Sequence, residues 1–169
     1  MAPSRSLAET EKATKKRIKK LPIDFAAAHA VMSLYRAGNA ARRYLTNNVL
    51  REHDLTWTGL QVLWMLWIWG SMENRVVAEE VGISKASLTG VMNTLIARGL
   101  IERIPSEVDR RRVELRLSPA GEELMEVLYP QFNQAESELV AGLSRRDLRR
   151  VTDALRHVVT VADADAEQN

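Results

Sequence analysis

Three groups of side chains in this 169-residue chain have types and spacings that do chemistry, and all three point to binding rather than bond-making. The first is a loop reading Asp109-Arg110-Arg111-Arg112. Guanidinium groups at a hairpin tip reach into a narrow minor groove, where negative potential is concentrated. Asp109 adds nothing to that attraction. It suits orienting Arg111, or the loop backbone, through a charge-assisted hydrogen bond. The second group is one face of a helix that opens at Ser84 and carries Lys85, Ala86, Ser87, Thr89, Gly90, Asn93 and Thr94. Short side chains allow close approach to DNA, hydroxyls and amides bond base edges or phosphates, and one lysine adds charge. The free N–H groups at the start of such a helix also favour a phosphate. Gly90 costs roughly 1 kcal/mol against alanine in a helix interior. Either closer contact with DNA offsets that cost, or the position is exposed and free to drift.

The third group combines rings and cations. Trp57, Trp64, Trp67 and Trp69 crowd one segment, and Arg36, Arg42 and Arg43 lie on the preceding helix. Aromatic walls suit a planar ligand, and an arginine suits its carboxylate or phosphate. Trp64 and Trp67 read as core, whereas Trp57 and Trp69, near the two ends of their helix, are the pocket candidates. The arginines read equally as a solvated face. The pattern predicts a small aromatic acid or phenol, or its coenzyme A thioester, as ligand.

Catalysis has no comparable support. No set of nucleophile, base and orienting group is visible, nor a phosphate-binding glycine loop. The chain has no cysteine, which excludes disulfides and thiolate chemistry. His29, His53 and His157 are isolated, so neither a metal site nor a cofactor is expected. The expectation is a protein that is not an enzyme.

The formal net charge of +2 is unevenly spread. Residues 1–22 carry seven Lys/Arg against two Glu, and residues 84–118 carry seven basic against four acidic side chains. Residues 119–169 carry five Arg against ten acids. Such a split suits a protein that meets phosphate on one side only. No secretory signal is visible, and the longest apolar run, Val62 to Trp69, is too short to span a bilayer. A cytoplasmic protein with no membrane contact is the expectation.

The elements that must hold these groups are mostly helical. Residues 1–22 read as a mobile basic tail or a frayed helix, either a solvated charge run or an arm attracted to phosphate. Asp24 caps a long helix running to about Glu52, with a possible bend at Gly38. Thr56 caps a helix, apolar nearly all round, that ends at Gly70. A short helix at about 74–81 and a turn at Gly82 follow, and Ser84 caps the next helix. That helix buries Leu88, Val91, Met92, Leu95 and Ile96 on one face, and Gly99 closes it. Residues 100–104 and 113–117 read as strands around the arginine loop. Ser118 with Pro119 starts a long helix that Pro130 either kinks or divides. Ser144 caps a last helix with Leu148, Val151, Leu155, Val158 and Val159 inward, frayed after Asp163.

At this point the chain resembles the multiple-antibiotic-resistance regulator (MarR) family of winged-helix proteins. The resemblance rests on Leu55-Thr56, on Val77-Ala78-Glu79-Glu80-Val81-Gly82-Ile83-Ser84-Lys85, and on Leu95-Ile96-Ala97-Arg98-Gly99-Leu100-Ile101-Glu102-Arg103. It continues through Asp109-Arg110-Arg111 and Val113-Glu114-Leu115-Arg116-Leu117-Ser118-Pro119-Ala120-Gly121, and covers about residues 25–163. It implies a mainly α fold with a small β-wing, in which a winged helix-turn-helix over 55–118 stands on an all-helical dimerisation base from 23–54 and 119–165. It further implies a homodimer that binds a palindromic DNA operator, a small ligand between base and DNA lobe, and groove contacts from Ser84, Lys85, Ser87 and Thr89, with Asp109 and Arg111 in the wing. Glu73, Gly59, Gly90 and Thr94 depart from the usual family residues, which bears on the operator sequence rather than the fold. The function so implied is a ligand-responsive transcriptional regulator, a repressor by expectation. The competing reading is a winged-helix architectural or protein-interaction module with no small-molecule effector.

Overall fold

The computed structural model describes residues 5–106 and 112–166. It divides into two compact units, residues 1–44 and 45–169. In the first unit the basic segment expected as a tail or frayed helix is helix α1 (Leu7–Ile18). A capping box explains the order: Glu9 N–H donates to Ser6 Oγ, and Ser6 N–H donates back to the Glu9 carboxylate. The Ser6 hydroxyl, donating to the same carboxylate at 2.7 Å, and then the Ser6 N–H hold the Glu9 carboxyl below the usual range. Helix α2 (Phe25–Asn48) is capped by Asp24, whose Oδ1 accepts from Ala27 N–H at 3.0 Å. It runs without interruption through Gly38, and a 3₁₀ turn at Leu50–His53 replaces its expected last turn.

The second unit is organised around α3 (Trp57–Trp69). Thr56 caps it through Gly59 N–H. Because α3 is apolar on nearly every side it packs centrally, against α4 (Asn74–Val81), α5 (Lys85–Ala97), strand β3 (Val113–Leu117) and α6 (Pro119–Leu139). Val62, Leu63 and Leu66 are buried there with Val77, Leu88, Leu95, Leu115, Met125 and Leu128. Each large side chain buried this way contributes about 1.5–3 kcal/mol. The exception is the end of α3, where Ile68 and Trp69 are exposed.

Strand β2 (Ile101–Pro105) pairs antiparallel with β3 in the register Ile101↔Leu117 to Pro105↔Val113. Period-two alternation turns Ile101, Leu115 and Leu117 inward. Cross-strand partners Glu102 and Arg116 form an ion pair at 2.7 Å. A two-residue strand β1 (Met72–Glu73) adds to the other edge of β3, giving the order β1-β3-β2. It is too short to leave an alternation in sequence. Pro130 lies inside α6 without dividing it. Helix α7 (Arg145–Ala166) extends past Asp163, where fraying was expected. Ser144 starts it, accepting from Asp147 N–H. Every residue of α7 from Arg149 to Ala164 is exposed on the single chain.

Candidate functional site

The candidate DNA-facing element is α5, and its position follows from a capped start and a buried rear face. At the end of α4, Gly82 takes φ +69°, a left-handed conformation open to glycine, and its N–H and that of Ile83 close the helix on Glu79 and Ala78. Two residues later Ser84 Oγ accepts from Ser87 N–H at 3.1 Å and starts α5. Leu88, Met92 and Leu95 are buried, so rotation about the helix axis is fixed. Lys85, Ala86, Ser87, Thr89, Gly90, Asn93 and Thr94 are then all exposed on the opposite face, as the sequence predicts.

The hydrogen bonds sort these residues by what remains to offer. Ser84 is occupied by capping and by Ser87 Oγ at 2.9 Å. Thr89 and Thr94 donate to the carbonyls of Lys85 and Gly90, leaving their oxygens as acceptors. Lys85 and Asn93 have no intramolecular partner among the described residues, and they are the free donors of the face. A Cβ on Gly90 would meet nothing within 4 Å, so packing does not require glycine there. Gly90→Ala is therefore expected to raise stability by roughly 1 kcal/mol in urea unfolding. The same variant should lose about tenfold in operator affinity, the size of one groove contact. Unchanged DNA affinity would leave drift as the reason for this glycine.

Beside α5 stands the wing. Asp109, Arg110 and Arg111 lie outside the described residues. Arg112, expected with them as a minor-groove contact, donates from Nη1 to Glu73 Oε1 at 2.7 Å, joining the start of β3 to β1. The pair forms because β1 brings Glu73 alongside β3, a pairing invisible in sequence. Glu73 makes no cap bond to α4. Below it, Glu114 is held under the usual carboxylate range by hydrogen bonds from Ser106 and then Ser71, the latter at 2.6 Å. At the far end of α5, Arg98 donates to the carbonyls of Asp54 and His53, both at 2.8 Å. The His53 ring contacts Gln131 on α6 at 2.8 Å, so α5 is tied to α6 through one residue. The ties of Arg98 to Asp54 and His53, and of His53 to Gln131, leave no local signal in sequence, because each joins residues more than forty positions apart.

A cavity of ≈ 260 Å³ opens between α3, α4 and α6. Trp57 and Phe132 face each other across 6.2 Å, and Trp64 and Tyr129 across 4.8 Å. Trp57 is thus a wall, as expected. Trp64, expected as core, is a wall as well, because it lies seven residues, about two turns, from Trp57 on the same helix face. Trp69 is not a wall: it falls off that face and is 70% exposed. The charged residues of the lining are Glu80 and Glu136, and no Lys, Arg or His is among them. The arginines are described with the first unit. Arg36 borders a separate cavity beside His29, itself paired with Glu11 at 2.8 Å, while Arg42 and Arg43 are exposed. Tyr129, Phe132 and Glu136 sit at i, i+3 and i+7 on one face of α6, which runs through Pro130. Among the described residues no cluster could hold a metal ion and no helix is long and apolar enough to cross a membrane.

A capped helix held by its apolar face beside a three-stranded antiparallel wing defines a winged helix-turn-helix DNA-binding protein. The pattern of the MarR family matches residues 55–113. The regulator YwaE of Bacillus subtilis, described as an uncharacterized HTH-type transcriptional regulator, is 32% identical over 155 residues, 90% of this chain and 91% of that one. BpsR of Bordetella bronchiseptica, whose DNA binding is regulated by 6-hydroxynicotinic acid, is 26% identical with a TM-score of 0.67, over 76% of this chain and 91% of its own. NadR in complex with 4-hydroxyphenylacetate shares the fold at a TM-score of 0.69 and 23% identity, over 80% of this chain and 98% of its own. The chain belongs to the MarR family of transcriptional regulators.

Proposed function

We propose that this protein is a homodimeric repressor that reads a palindromic operator and is released by a small aromatic effector. The observation that carries the reading is the exposed polar face of α5, set by Ser84 at its start and by Leu88, Met92 and Leu95 behind it. Lys85 supplies phosphate attraction, Ser87, Thr89 and Asn93 supply base-edge contacts, and Asp109 and Arg111 act in the wing. Two-fold symmetry in the protein requires two-fold symmetry in the operator.

The effector half of the reading rests on the aromatic cavity, and on BpsR, which responds to a planar ring compound. Planarity suits walls such as Trp57 and Trp64. A cavity of ≈ 260 Å³ is too small for a whole coenzyme A thioester. An aromatic acid finds no basic side chain in the lining. The effector works only if it binds the DNA-incompetent form better, and a tenfold release needs about 1.4 kcal/mol of such preference.

Selection from random duplexes, followed by titration at several salt concentrations, tests the DNA half. One enriched palindrome is expected. Lys85→Ala should weaken all sequences alike and reduce the salt slope by about one, whereas Arg111→Ala should cost about 1–3 kcal/mol on the operator. Salt-sensitive binding with no enriched sequence would instead mark an architectural protein.

A further inference from the structure

The cavity beside α3 carries a charge pattern that an aromatic acid does not use. Its walls are the rings of Trp57, Trp64, Tyr129 and Phe132, and its two charged residues are Glu80 and Glu136. Aromatic faces are the negative ends of their quadrupoles and attract cations, tryptophan most strongly. Carboxylates attract the same ligands and repel anions. Glu136 accepts from Asn133 Nδ2 at 3.1 Å, which steadies it, and Glu80 has no intramolecular partner among the described residues. Rings and carboxylates therefore select one charge sign.

We propose that this cavity binds a small organic cation, a quaternary ammonium carrying one aromatic ring, and that this cation is the effector class; the second clause rests on the regulatory reading above. A quaternary nitrogen suits the site better than a primary amine. It has no N–H to satisfy and sheds its water easily, and the lining is mostly ring and aliphatic surface with Gln61 and Tyr129 as its other polar groups. The volume of ≈ 260 Å³ lies just below the roughly 300–1,000 Å³ of drug-sized sites, which suits one substituted ring.

The test compares three probes of similar shape on the full-length protein: phenyltrimethylammonium, its uncharged carbon isostere tert-butylbenzene, and benzoate. Tryptophan fluorescence reports binding, and operator affinity is measured in parallel. The cation is expected to bind about tenfold more tightly than the isostere, a ratio typical of a desolvated cation–π site, with benzoate weakest. Glu80→Gln and Glu136→Gln should each shrink the preference for the cation and leave the affinity for the isostere unchanged. Benzoate binding as tightly as the cation, the absence of cation binding, or an undiminished preference in both variants would overturn the proposal. The two readings separate cleanly. Glutamate-dependent cation binding that leaves operator affinity unchanged sustains the site and removes cations as effectors. Operator release by benzoate, with no binding of the cation, sustains an aromatic effector and removes the cation site.

Discussion

Leu155→Asp is expected to split the protein into monomers and to lower operator affinity at least about a hundredfold. The reason lies in α7. Leu148, Val151, Leu155, Val158 and Val159 recur at helical spacing and form one apolar stripe. On the single chain this stripe is open: Val151 is 47%, Leu155 40%, Val158 44% and Val159 58% exposed. A contiguous apolar helix face left in water marks an interface. If the chain acted alone, an aspartate at so exposed a site would change stability by no more than about 0.5 kcal/mol. In a two-fold seam the same change buries two charges, one from each copy, at several kcal/mol apiece. About 1.4 kcal/mol is a factor of ten in affinity, so dimer and operator binding fall together. Sedimentation equilibrium and operator titration read the outcome, with circular dichroism confirming helix content. Leu155→Ala, a milder change, should raise the dimer dissociation constant without unfolding the chain. Arg150→Asp, on the far side of α7, should change neither. A Leu155→Asp protein that stays dimeric would place the interface elsewhere.

Gly121→Ala is expected to destabilise the fold by about 3 kcal/mol or more, the upper end of the cost of overpacking. A Cβ at Gly121 would sit 2.1 Å from the Leu100 carbonyl oxygen and 3.1 Å from its carbon. That carbonyl cannot yield, because it accepts from Ser118 N–H at 3.0 Å, and Ser118 Oγ also donates to the Gly99 carbonyl. Gly121 N–H in turn donates to Ser118 Oγ at 3.1 Å. The start of α6 is thus locked onto the end of α5, and relieving the clash breaks the lock. Urea unfolding should show a lower midpoint, and the contrast with Gly90→Ala is the control: the same substitution in open space should stabilise. A Gly121→Ala protein as stable as the parent would show that α6 shifts freely against α5.

What the sequence determined by itself is local. Periodicity and caps placed α3, α4, α5 and the starts of α6 and α7 within a residue or two, because Thr56, Ser84, Ser118 and Ser144 each act on N–H groups no more than three positions away. The polar face of α5 was legible for the same reason: a helix with one apolar stripe buries it and shows the other side. Of the two readings of the basic segment, tail or frayed helix, the helix follows from an equally local signal, the Ser6–Glu9 box ahead of the run of lysines. Tertiary structure decided everything that depends on which distant residues meet. It made β1 from two residues and set Glu73 against Arg112. It tied Arg98 to Asp54 and His53, and it brought Tyr129 and Phe132 of α6 to Trp64 and Trp57 of α3. It also left Trp69 in solvent and gave the aromatic cavity the carboxylates of Glu80 and Glu136. Helical propensity and capping act over one turn, whereas the charge of a cavity is set by packing between elements, which no short window of sequence records.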